Sequence, residues 1–163
     1  ENQIQWECNI RSGSDVSDMG LWAGMKLTNT PVYATDDDQA YFIYDSTDDS
    51  GALTTNANLH FVYSNNDTDY ISDLGIAVAA DTNYRLGITV DSDRKVSAWV
   101  NGVQYSLTHS TTAGGVDTAA GTQKSLALAD DHDLIPYIGV IARGSAARTL
   151  VVASQKISRI IFE

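Results

Sequence analysis

Cysteine, glutamate and basic residues are scarce in this sequence, and long apolar runs are missing; each shortage excludes a class of protein. Cys8 is the single cysteine among 163 residues, so no disulfide can close within the chain and no cysteine-based metal site can form. It sits in "IQWECNI" in phase with Ile4, Trp6 and Ile10, the place of a small core residue rather than a nucleophile. Of 21 acidic residues only Glu1, Glu7 and Glu163 are glutamate. Glutamate favours helices, whereas aspartate hydrogen-bonds its own backbone and favours turns, so the skew points to an all-β chain with many turns. Only 10 Lys and Arg are present, and the formal charge is −11; phosphate-backbone binding rests on those residues, which argues against nucleic acid as a direct partner. The acidic balance suits a solvated surface, calcium, or a basic protein partner. No run of about 18 apolar residues is present to cross a bilayer as a helix, and no membrane partner is expected. Glu1 has no Met before it and no charged-then-apolar leader, which fits a processed chain, a fragment or part of a longer one.

What is present is alternation of period two. Apolar residues recur at Ile4/Trp6/Cys8/Ile10, Leu21/Ala23/Met25/Leu27, Leu59/Phe61/Tyr63 and Leu74/Ile76/Val78. They recur again at Tyr84/Leu86/Ile88/Val90, Val96/Ala98/Val100, Val103/Tyr105/Leu107 and Ile135/Tyr137/Gly139/Ile141, and in "TLVVASQKISRIIF". Roughly ten to twelve strands are expected. Between them lie "RSGSDVSD", "TDDD", "DSTDDSG", "SNNDTD", "AADTN" and "DSD", turn-rich stretches spaced as in a sandwich or barrel rather than in βαβ units. In "KVSAWVNGVQYSL" the pair Asn101-Gly102 supplies the two positive-φ residues of a type I′ hairpin. Val96, Ala98 and Val100 then share one face and Trp99 takes the other. Room for a helical turn exists only in "VSDMGLW" and "AAGTQKSLALADD". The chain is expected to form one domain over residues 1–163, with one long irregular segment at 108–133 that reads either as a binding or assembly loop or as a passive surface loop.

These stretches carry a resemblance. "NYRLGITVDSDRKVSAWVNGVQYSL", followed after a loop by "DLIPYIGVIARGSAARTLVVASQKISRIIF", resembles the second half of a concanavalin A-like (laminin G-like) jelly roll, and "IQWECNIRSGSDVSDMGLWAGM" is similar to the opening strands of that family. The resemblance implies an all-β jelly-roll sandwich of two antiparallel sheets. Within the superfamily, the Ser-Asp turn into "GLWAGM", the Asp-rich middle and "PYIGVIARGSAARTLVV" are similar to domains of tailed-bacteriophage structural proteins. That likeness implies a non-enzymatic virion protein, a capsid decoration or cement protein on the capsid surface, whose partners are the major capsid protein and copies of itself. The alternative is a lectin-like carbohydrate-binding module.

The same fold houses glycoside hydrolases and lyases. Hydrolysis needs two carboxylates facing one cleft, and the Glu-x-Asp-x-x-Glu pattern of hydrolases with this fold is not matched around Glu7. Aspartates in solvated turns keep a low pKa and make poor general acids. Lyase chemistry would draw on His60, His109, His132 and Arg85, but His109 and His132 fall in the long segment, and His60, between Leu59 and Phe61, reads as an exposed strand residue. No catalytic residue and no cofactor is assigned. Sugar recognition would use Trp22 and Trp99, which are out of phase with the apolar sets of their strands; packing against a loop is the other reading. Calcium would draw on Asp36, Asp37 and Asp38, on Asp45, Asp48 and Asp49, or on Asp130, Asp131 and Asp133; solvated turns are the plainer reading. "NDT" at 66–68 is a glycosylation sequon only in a secreted eukaryotic setting.

Overall fold

A computed structural model of the chain describes residues 3–28, 37–112, 122–129 and 133–160. Ten strands and no helix are found among them. They are β1 (Gln3–Ser12), β2 (Met19–Lys26), β3 (Gln39–Asp45), β4 (Asn58–Asn65), β5 (Thr68–Ala77), β6 (Asn83–Val90), β7 (Val96–Val100), β8 (Val103–Tyr105), β9 (Ile135–Ala142) and β10 (Leu150–Ile160). They form two five-stranded sheets, ordered β10-β1-β6-β7-β8 and β5-β4-β3-β2-β9, and every pairing is antiparallel. The expected two-sheet sandwich is what the chain builds.

The alternation locates the inner faces. Trp6, Cys8 and Ile10 from β1, Leu86 and Ile88 from β6, and Val96, Ala98 and Val100 from β7 are all buried against Leu21, Ala23, Met25, Phe42 and Phe61 of the facing sheet. Phe42 and Phe61 meet edge to face, with centroids 4.9 Å apart, the arrangement that the ring quadrupole favours. Asn101 and Gly102 take φ values of 52° and 85°, the two left-handed residues of the expected β7–β8 turn. At Asp91 the side chain accepts the amides of Asp93 and Lys95, so the Asp-Ser-Asp turn is held by its own carboxylate.

At three places the structure goes beyond the sequence reading. β3, "QAYFIYD", has no alternation to betray it because all seven residues are buried, Tyr41 and Ile43 on one face and Phe42 and Tyr44 on the other. The helical turn allowed for "VSDMGLW" is instead the turn leading into β2; the other candidate stretch lies partly outside the described residues. The segment 108–133 is no free loop where it is described. Leu128 is buried, the amides of Ser125 and Leu128 donate to Val96 and Arg94 carbonyls, and Ala127 bridges Lys95, so 122–129 is a strap closing the core beside β7.

The sheet β5-β4-β3-β2-β9 is also covered on its outer side. Trp22, Tyr41, Ile43, Val62 and Ile71 form a second apolar cluster beneath Leu53 and Ala52. Asp48 pins the covering segment: its Oδ1 accepts the Ser50 hydroxyl at 2.7 Å, its Oδ2 accepts the Leu53 amide at 3.1 Å, and its carbonyl accepts the Asn56 amide group at 2.7 Å. Gly24 is required here by close approach, since a Cβ would lie 2.4 Å from the Tyr41 Cα.

Candidate functional site

Among the described residues no segment covers the outer face of the other sheet, and its pairing register shows what stands there. Glu7 on β1 is opposite Lys156 on β10 and Gly87 on β6; Gly87 is opposite Trp99 on β7, and Trp99 is opposite Gln104 on β8. One row of outward residues thus crosses five strands, with an indole near its centre and a glycine beside it. In the next row Gln5 faces Thr89. Period-two alternation makes this row polar wherever the facing phase is core.

Gly87 shapes the surface. A Cβ there would sit in ordinary contact with the Trp99 Cβ at 3.4 Å, so its absence deepens the floor beside the indole, whose Nε1 lies 3.5 Å from the Thr89 hydroxyl. Gln5, Glu7, Arg85, Gly87, Thr89 and Trp99 line a shallow depression of about 240 Å³. The polar groups are set by one another. The Glu7 carboxylate accepts the Gln5 amide at 2.6 Å and both its oxygens accept the Arg85 guanidinium at 3.2 and 3.3 Å. The Arg85 backbone is fixed from the hairpin turn, its amide donating to the Asn101 side chain and its carbonyl accepting the Asn101 amide. With side-chain exposures of 59% for Arg85 and 29% for Glu7, the ion pair adds little stability; its effect is to orient donors and acceptors beside an aromatic plane.

Trp22 and Trp99, paired as candidates from sequence, end in opposite situations. Trp22 does point to an outer face, but it is 1% exposed beneath the covering segment with the Arg143 guanidinium 5.4 Å from its ring, so it offers no stacking surface. Trp99 is half-buried and lines the depression. His60, expected to be exposed, is fully buried because the outer face of its sheet is covered. Its Nδ1 lies 3.0 Å from the Asn58 carbonyl, and its Nε2 is 3.8 Å from Asp73. Burial lowers its pKa, and Asp73 and the Asn58 carbonyl oppose that shift. His109 is engaged with the Lys124 carbonyl at 2.7 Å. His132 lies outside the described residues. Burial pushes the Cys8 thiol up to about 12, which fits a core residue and leaves almost no thiolate.

The aspartate groups proposed for calcium are spread over other tasks. Asp36, Asp130 and Asp131 lie outside the described residues. Asp38 is buried and accepts the Ala129 amide, Asp45 binds the Arg143 guanidinium, and Asp48 holds its own turn. No group of three or more His, Cys, Asp or Glu residues positioned for a metal occurs among the described residues. A second cavity of about 400 Å³ opens at one end of the sandwich, with Met25, Val90 and Leu128 as floor and Asp91, Arg94 and Asp133 at its rim. Asp91 is occupied there by Lys124 at 2.8 Å.

Sequence reasoning missed Gln5, Gly87, Thr89 and Gln104. Their signal was present: they are the residues between the apolar phase of β1, β6 and β8, and Gly87 interrupts an otherwise bulky strand.

No protein-family model matches the chain, and no curated protein sequence does. Among solved structures it is similar to the carbohydrate-binding module CBM66 from Bacillus subtilis, with a TM-score of 0.53 and 9% identity over 96% of this chain and 75% of that one. A weaker likeness, with a TM-score of 0.39 and 13% identity, joins 96% of this chain to 40% of the mouse laminin alpha1 chain domains LG4-5. Identities this low speak to architecture alone. With its two five-stranded antiparallel sheets, the chain has the concanavalin A-like jelly-roll fold.

Proposed function

We propose that the chain is a non-catalytic carbohydrate-binding module whose ligand lies across the Trp99 face. The observation that carries this reading is the half-buried Trp99 in a depression walled by Gln5, Glu7, Arg85 and Thr89. An indole plane suits the apolar C–H face of a sugar ring, and donors and acceptors fixed around it suit the ring hydroxyls. The fold likeness to a carbohydrate-binding module is compatible with it. Among the described residues, Glu7 is the one carboxylate lining the depression. It is bound by Arg85 and Gln5, whereas glycoside hydrolysis uses two carboxylates across a cleft, so the reading is binding without turnover.

The test is a glycan array followed by calorimetry on the best neutral polysaccharide. Trp99→Ala is expected to weaken binding roughly thirty-fold, the usual scale for an anchoring Trp, with an unchanged circular dichroism spectrum. Gly87→Ala meets only ordinary contacts and should keep its stability while losing affinity, because the methyl raises the floor beside the indole. Absence of binding to any glycan, or binding indifferent to Trp99→Ala, would refute the reading.

A second reading, the virion decoration protein implied by the phage likeness, is favoured by a different observation: apolar side chains exposed along β9 and β10, namely Ile135, Val140, Val151, Val152 and Ile157. A surface of that kind suits attachment to other protein chains. Electron cryo-microscopy of the source particle tests it: copies repeating at capsid junctions support it, and absence from particles excludes it.

A further inference from the structure

Charge is unevenly divided between the two sheets. No aspartate lies on β10, β1, β6, β7 or β8, whose one acid is Glu7, whereas Asp45, Asp69 and Asp73 stand on strands of the other sheet. Against that acid the same five strands carry Arg11, Arg85, Lys156 and Arg159. Arg159 is opposite Ile4 in the inward phase, while Arg11, Arg85 and Lys156 share the outward phase with Glu7. Arg11 is taken by Asp81 at 2.9 Å. Arg85 holds Glu7 through one nitrogen only: Nη2 donates to both carboxylate oxygens, and Nη1 and Nε make no hydrogen bond among the described residues. Lys156 stands on the other side of Glu7; it is exposed and has no ion-pair partner among the described residues. In a chain of formal charge −11, the face around Trp99 thus holds an excess of cation with donors to spare.

We propose that the ligand of the Trp99 face is an acidic polysaccharide, one sugar ring stacked on the indole and the carboxylate or sulfate groups of other rings taken by Lys156 and by the unused edge of Arg85. This rests on the carbohydrate-binding reading above and names its substrate class. The register sets the geometry. Trp99 and Lys156 are separated by β6 and β1, three strand spacings of about 4.8 Å, or roughly 14 Å, which is farther than a single ring reaches. The stacked ring and the ring over Lys156 are therefore different residues of one chain, laid across the strands along the row Lys156, Glu7, Gly87 and Trp99. Glu7 would repel an anion on this path, but its charge is answered by Arg85 and it also accepts the Gln5 amide. Hydrogen bonds from a cation to a carboxylate or sulfate are roughly twice as strong as neutral ones. With the strand-borne aspartates on the opposite sheet, a polyanion meets its counter-charge on this face.

The test uses the full chain on an array that pairs neutral glycans with their uronate or sulfated counterparts, followed by calorimetry on the best-bound pair. The acidic member is expected to bind more tightly, and Trp99→Ala to weaken both members. Lys156→Gln should reduce affinity for the acidic member about ten-fold, the scale of one hydrogen bond to a charged group. It should leave the neutral member and the thermal midpoint unchanged, since Lys156 is exposed. Lys156→Glu should reverse the preference, and salt that shortens the Debye length to about 3 Å should erode it without removing binding. A preference confined to uronates, or to sulfated sugars, names the anion and supports the inference either way. Trp99-dependent binding with no preference for the acidic member, or a preference that survives Lys156→Glu, overturns the inference and leaves the carbohydrate-binding reading standing. Inorganic polyphosphate bound as tightly as the acidic glycan would reduce the effect to bare charge and overturn it as well. Retention of no glycan at all removes both.

Discussion

His60 shows how one buried residue ties stability to pH. Its pKa is held below the ordinary value by burial, with Asp73 and the Asn58 carbonyl pulling the other way. In the unfolded chain the ring takes up a proton below about pH 6.5, whereas in the folded chain it resists to lower pH. The unfolded state thus binds more protons in the window just below pH 6.5, and stability falls as pH falls through it. His60→Gln is expected to flatten the decline in unfolding midpoint between about pH 7 and 5, measured by urea titration alongside the wild type. Equal slopes for both proteins would clear His60 of the effect. Asp73 is the nearest acidic partner, 3.8 Å away, and its own pKa is lowered despite burial by the Gly75 amide, Asn58 and His60. The comparison therefore has to be made above the carboxylate range.

At the scale of elements, the stretch between β3 and β4 matters more than its turn-like composition suggests. It closes the second apolar cluster, and Leu53, 4% exposed, is its apolar plug. Leu53→Ala should cost about 2–4 kcal/mol, the range for a buried leucine whose site collapses only in part. It should also shift Trp22 emission to the red as water reaches the indole. Guanidinium unfolding followed by fluorescence measures both. Loss of stability without a spectral shift would mean that Trp22 is shielded by other residues. Among the described residues no segment covers the opposite sheet in this way, and its outward phase is polar around Trp99.

For the molecule as a whole, the formal charge of −11 sets a repulsion that exposed ion pairs such as Arg11–Asp81 and Arg85–Glu7 do little to offset. Screening should therefore stabilise the fold. A screening gain of about 1 kcal/mol would raise the thermal midpoint by roughly 2–4 °C for a chain of this size on going from low salt to a Debye length near 3 Å. Calorimetry in sodium chloride decides it. A falling midpoint would show that buried-side pairs such as Arg143–Asp45, where the carboxylate is 7% exposed, dominate the balance.

The sequence by itself determined the all-β class, the two-faced strands and the β7–β8 turn. These depend on local rules: side chains alternate with period two, and Asn-Gly tolerates positive φ. It also placed Trp99 off the core phase, which is half of the candidate site. Tertiary structure alone decided which outer face was covered. Trp22 and Trp99 have the same local signature, but the segment around Leu53 folds over one and nothing described covers the other. For the same reason His60 could not be read as buried and β3 showed no alternation, because a strand covered on both sides has no polar phase. Gln5 and Glu7 lie on β1, and Gly87 and Trp99 face each other across the local β6–β7 hairpin; the two pairs become neighbours only through the β1–β6 register, which long-range pairing sets and no local window contains.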